Sequence, residues 1–189
     1  GDLATPENYY QFVKEMLIYD PMYGGGVDSN YPHYWAHYAL AYDLIKDRLI
    51  ADDLADKTDY NEQIRNKLAI GVDASTIDKS MNMWKCCSGR VISWTGYTFH
   101  SVGIISQVLA DFIPPYGSNM TTPIDWMDNA MQLMYRPVYE DLYTKDGHLN
   151  TGSMYANAAL SDISVFAFIY NRLTGVKILK EPRYEEAMK

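Results

Sequence analysis

Chemistry is expected to converge on the run between Lys145 and Asp162, KDGHLNTGSMYANAALSD. It holds an Asp-Gly turn, His148, a second glycine, and Tyr155 at the entrance to a small-residue helix. His and Tyr are proton-transfer groups, so acid–base chemistry is what this stretch offers. A second constellation is weaker. His33 and His37 are four apart and share a helix face. They lack the intervening Glu of an HExxH site and an evident third ligand, so no metal or other cofactor is expected. The adjacent Cys86 and Cys87 fall in a helical pattern with no second pair and read as small core residues. Gly24, Gly25 and Gly26 allow close backbone approach to a ligand, but without a Lys-Ser/Thr ending they are no phosphate loop.

The chain that must position these groups has 189 residues, enough for one domain with a real core, and residues 1–189 read as a single helical domain. A hydrophobic content of 48% with 21% charged residues is that of a globular protein. No apolar run approaches the roughly 20 residues of a membrane span. A net charge of −8 disfavours nucleic acid as a partner, whereas an anionic sugar in a locally basic cleft stays open. The 17 tyrosines and four tryptophans suit either a Tyr-rich core or a cleft whose rings stack on sugar faces.

Element by element, helix signals dominate. Thr5-Pro6-Glu7 is a helix start, with Phe12, Met16 and Leu17 on one face and an end near Ile18–Asp20. Tyr31-Pro32 opens a second helix running to about Leu49, with Trp35, Tyr38, Ala39, Tyr42 and Ile45 at helical spacing. Ala51–Lys57 reads as an acidic connection, and Asp59-x-x-Glu62 as a capping box before Ile64, Leu68 and Val72. Ile77–Phe112 is the longest helical stretch, divided near Ser88-Gly89. Its second part, Arg90–Phe112, is apolar on most sides and predicts a central, buried helix carrying His100. Pro114-Pro115-Tyr116-Gly117 is a loop. Thr122-Pro123-Ile124-Asp125 restarts a helix with a stripe of Ile124, Met127, Met131 and Met134, which Pro137 kinks or ends. Ala156–Leu173 is helical, with Gly175 as its C′ residue. No strand alternation is sustained, so the fold class is all-α, built from antiparallel helical hairpins.

Three segments recur in a known order: YWAHYALAYDLIKDRL at Tyr34–Leu49, Asn82-x-Trp84 before a long apolar helix, and DGHLNTGSMY at Asp146–Tyr155 before a small-residue helix. This order resembles the helical (α/α) toroid of heparinase II/III-like and alginate-lyase-like polysaccharide lyases. The resemblance implies an incomplete toroid and cleavage of a uronic-acid polymer by β-elimination. By position it makes Asn82 the amide that binds the C5 carboxylate and Tyr155 the base and acid, with His148 in the same cleft. Stabilising the developing enediolate is what a neutral amide donor does, and a Tyr with a lowered pKa can take the C5 proton and protonate O4. Arg90, Trp84, His100 and Tyr31 follow as substrate-binding residues, and an anionic polysaccharide as the partner. The resemblance also implies a secreted or periplasmic setting. Thr151 stands where the family pattern has an acid, Met83 follows Asn82, and the family's C-terminal β-sandwich is absent. A fragment or reduced relative is therefore the expectation.

Each site residue has a plainer reading beside this one. Asn82 is equally an N-cap, Tyr155 equally a core tyrosine, His148 a solvent-exposed turn residue, and His100 a hydrogen-bonded core histidine. Two other functions stand beside the lyase. One is a non-catalytic glycan- or partner-binding helical domain. The other is a glycoside hydrolase using two of Asp125, Asp128, Glu140, Asp141 and Asp146, whose spacing looks more like caps and solvated faces.

Overall fold

A computed structural model describes residues 5–19, 33–74, 92–136, 153–177 and 180, with backbone alone at 33–35, 74, 92–99, 132–136, 153–160, 162 and 163. All regular structure among them is helical: α1 Pro6–Tyr19, α2 His33–Asp56, α3 Tyr60–Ala74, α4 Ile92–Val108, α5 Pro123–Arg136 and α6 Ser153–Thr174. The all-α expectation holds. No helix among the described residues is long and apolar enough to cross a membrane.

Local chemistry sets the ends. In α1 the Asn8 N–H donates to Thr5 Oγ1 at 3.2 Å, with Pro6 at the first helical position. In α5 the cap is reciprocal. The Asp125 N–H donates to Thr122 Oγ1, and Asp125 Oδ2 accepts the Thr122 N–H at 2.8 Å. These bonds from Thr122 hold the Asp125 carboxyl below its ordinary pKa. At the end of α6, Gly175 has φ +79° and its N–H donates to Asn171 O at 2.8 Å, the αL cap expected there.

Three boundaries differ from the sequence reading, one being the end of α4 at Val108 where the helical pattern runs to Phe112. The helix α2 continues through Ala51–Asp56 instead of ending near Leu49, because Leu49 and Asp53 are both buried there. It stops at Lys57, which adopts φ 57°, and the Thr58 N–H returns to Asp53 O at 3.1 Å. That is a Schellman closure made by a lysine. The Asp53 side chain then accepts from Thr58 Oγ1 and from the Asn61 N–H at 2.7 Å. The first turn of α3 is thus capped by an acid of the preceding helix, where Asp59 and Glu62 were expected to cap it. With only residues 57–59 between them, α2 and α3 form an αα-hairpin. At the other end of the chain, α6 begins at Ser153, a turn nearly earlier than expected.

The expected faces are also shifted. In α1 the buried residues are Tyr10, Val13 and Leu17, whereas Phe12 is 52% exposed. In α5 the fully buried residues include Trp126, Met127 and Ala130, and Ile124 is exposed. Full burial of Leu17 contributes about 1.5–3 kcal/mol. The exposed Glu7–Arg48 pair is screened by water and contributes little. The apolar face therefore docks α1.

The helix α4 is the hub. It packs most extensively on α6 and also contacts α2, α5 and α3. Its Val102, Ile105, Leu109 and the following Phe112 are buried, as the apolar circumference of Arg90–Phe112 predicts. The helix α4 comes close to α6 at Gly103. A Cβ there would sit 3.4 Å from both Ile169 and Phe166. Two contacts fix directions. The Phe112 ring lies 5.9 Å from Trp126, and Tyr170 Oη donates to Asp128 Oδ1 at 2.9 Å. The C-terminal ends of α4 and α6 therefore share one end of the bundle with the start of α5. It follows that α4 and α6 run in the same direction, with α5 opposed to both.

Candidate functional site

One side of the central helix is less covered than the rest. His100, Ile104, Gln107 and Val108 recur at helical spacing and are each half-buried, while their neighbours on α4 are buried. This stripe combines an imidazole, an amide and two apolar side chains. It offers hydrogen bonding and apolar contact. On the same helix, Ser101 next to the stripe and Ser106 on another side are fully buried, and their hydroxyls, like Gln107 Oε1, meet no hydrogen-bond partner among the described residues. Buried polar atoms are normally satisfied, and each exception needs a cause. Gln107 and these serines were not singled out in the sequence. The signal was present, since they are polar residues inside an otherwise apolar helix.

Among the residues expected to form a site, His100 lies on this stripe. Tyr155 lies in the first turn of α6, outside the described side chains. Because α4 and α6 run together with Gly103 level with Phe166, Tyr155 and His100 are separated by about 12 Å along the helix axes, at 1.5 Å per residue. Asn82, His148, Arg90, Trp84 and Tyr31 lie outside the described residues. His37 is exposed, and no group of three metal-ligating side chains occurs among the described residues.

Two polar clusters lie elsewhere and tie helices together. At the end of α3, Asp73 Oδ1 accepts three hydrogen bonds: from the Thr121 N–H at 2.9 Å, Thr121 Oγ1 at 2.7 Å and Trp126 Nε1 at 2.9 Å. Where α1 meets α2, Tyr10 Oη donates to Asp52 Oδ2 at 2.6 Å. The Arg48 guanidinium lies 4.0 Å from the Tyr10 ring centroid, and Lys14 Nζ lies 5.3 Å from that of Tyr60. Burial, then the Asp52 hydrogen bond, drive the Tyr10 hydroxyl far above the ordinary tyrosine pKa. Such a phenol is a hydrogen-bond donor at neutral pH and not a base, so Tyr10 is structural. Burial also raises Tyr170, with Asp128 adding to it.

Asp128 thus anchors a tyrosine. Asp125 caps a helix through Thr122. Both carboxylates are thus engaged in hydrogen bonds that hold helices in place. Glu140, Asp141 and Asp146 lie outside the described residues.

No family model, curated protein or solved structure matches the chain.

Proposed function

We propose that the chain is a helical domain of a polysaccharide lyase, with an incomplete toroid architecture, acting on a uronic-acid-containing polymer. The observation that carries this reading is the ordered set of Tyr34–Leu49, Asn82-x-Trp84 and Asp146–Tyr155 in an all-helical chain. The half-buried stripe of α4 supports it, because a row of amide, imidazole and apolar groups suits a sugar chain.

In this reading the Asn82 amide donates to the C5 carboxylate and stabilises the enediolate that forms as the proton leaves. Tyr155 takes the C5 proton and returns one to O4 as the C4–O4 bond breaks, with His148 assisting. Arg90 pairs with substrate carboxylate or sulfate. His100 binds a neighbouring sugar, consistent with its distance from Tyr155. Trp84 and Tyr31 supply stacking rings. A chain working on such polymers operates outside the cytosol.

The test is the ultraviolet absorbance of 4,5-unsaturated uronate product during incubation with alginate, heparin and chondroitin sulfate. One polymer should give a rise, and Tyr155→Phe should abolish it. Undiminished product from Tyr155→Phe would overturn the site assignment.

A second reading is a glycan-binding domain without turnover. The exposed rings of Tyr9, Phe12 and Tyr19 on the outer face of α1 favour it. Retention of a polymer without any unsaturated product would select it.

A further inference from the structure

The loop that follows α4 has an architecture suited to presenting one ring. Tyr116 is 108% exposed and Ile113 is 84% exposed, the two most exposed large apolar residues among those described. From Phe112 to Ile124 the sequence FIPPYGSNMTTPI carries no charged side chain, in a chain of net charge −8. The acids at its two ends are engaged, Asp111 with Arg65 at 3.0 Å and Asp125 with Thr122, so the stretch between them adds no charge of its own.

The loop is also held rigidly. Pro114 and Pro115 fix two φ angles. The Ser118 N–H donates to Pro115 O at 3.0 Å, and Gly117 between them has φ +80°, the pattern of a type II turn with Tyr116 at its first corner. One end is anchored by buried Phe112 against Trp126. The other is anchored by Thr121, whose N–H and hydroxyl both bind Asp73. A ring held this way loses little conformational freedom on binding. Beside it, Ser118 and Asn119 are exposed neutral hydrogen-bonding side chains. A flat ring flanked by uncharged hydroxyl and amide groups matches a pyranose, which offers an apolar face and a rim of hydroxyls.

Its place in the fold gives it a length dependence. The half-buried stripe runs from His100 to Val108, toward the end of α4 from which this loop emerges. Tyr155 is level with the opposite end of α4. The distance from that level to Val108 is about 24 Å along the axis at 1.5 Å per residue.

We propose that Tyr116, with Ser118 and Asn119, is a remote sugar-binding platform that holds an extended uronate polymer beyond reach of short oligosaccharides. This rests on the polymer-binding part of the function proposed above, and not on its catalytic step. The experiment is affinity electrophoresis of the full chain through gels containing alginate, heparin or chondroitin sulfate, alongside a tetrasaccharide of the retained polymer as competitor.

Tyr116→Ala should weaken retention by the long polymer by about fivefold or more, the usual effect of truncating an aromatic anchor. Tetrasaccharide binding should be unchanged. Tyr116→Phe should retain the polymer, because the ring carries the contact. Wild-type retention with unchanged retention of Tyr116→Ala overturns the platform. Equal loss for polymer and tetrasaccharide also overturns it, because the ring would then belong to the central site. Polymer retention without unsaturated product overturns the lyase reading alone, and the Tyr116 comparison is decided on binding. A wild-type chain retained by none of the polymers overturns both.

Discussion

Replacing Asp73 by Ala removes the acceptor of three hydrogen bonds at once. Trp126 is fully buried, so its indole N–H is left unsatisfied, which costs about 1–3 kcal/mol. The two Thr121 donors are half-buried and recover part of their loss from water, adding about 1–2 kcal/mol between them. The expected loss is therefore about 2–5 kcal/mol, a large share of the roughly 5–15 kcal/mol that stabilises a folded domain. Asp73→Asn retains an acceptor oxygen and loses only the charge assistance, so it should cost about 1–2 kcal/mol. The assay is urea unfolding followed by circular dichroism at 222 nm, with tryptophan fluorescence as a second probe. Trp126→Phe removes the most deeply buried donor, so the double variant Asp73→Ala/Trp126→Phe should lose less than the two single losses added together. An Asp73→Ala variant within about 0.5 kcal/mol of wild type would refute the reasoning, as would strict additivity in the cycle.

Gly103 marks the close approach of α4 to α6. A Cβ there makes ordinary contacts, so Gly103→Ala should be neutral or stabilise by up to about 1 kcal/mol through helix propensity. Gly103→Leu should overpack against Phe166 and Ile169 and lose about 1–3 kcal/mol in the same urea assay. Lys57 sits at φ 57°, so Lys57→Gly should raise stability by about 0.5–1 kcal/mol, measured as a higher urea midpoint at constant slope. Burial raises the folded-state pKa of Tyr10, Tyr42 and Tyr170. Raised phenol pKa values contribute stability that is complete below the unfolded value near about 10 and is lost as pH rises through the folded values. Absorbance at 295 nm should therefore show a late ionising class that appears with alkaline unfolding, and Tyr10→Phe should reduce its amplitude.

Signals contained within one helical turn were legible in the chain. Thr5, Thr122 and Gly175 act within a few residues of the groups they satisfy, so residue type and spacing are enough to place them. The central position of α4 was legible for a related reason, since a helix apolar on most sides has to be surrounded. The candidate site was legible only as residue types in order. Whether His100 and Tyr155 share a reaction centre depends on the register of α4 against α6, which Gly103, Phe166 and Ile169 set across a long separation in sequence.

By itself the sequence determined the helical class, most helix starts and the identity of the hub. Tertiary structure decided which faces are buried. Phe12 and Tyr10 are both apolar enough for a core, and Tyr10 is inside because Asp52 receives its hydroxyl. Tertiary structure also decided that Asp53 caps α3, that Asp73 joins α3 to α5, and that Tyr116 projects from a fixed turn. Each of these depends on a partner distant in the chain or on the spatial course of a loop. Hydrophobicity and hydrogen-bonding capacity belong to a residue, whereas the partner that satisfies them is supplied by the fold.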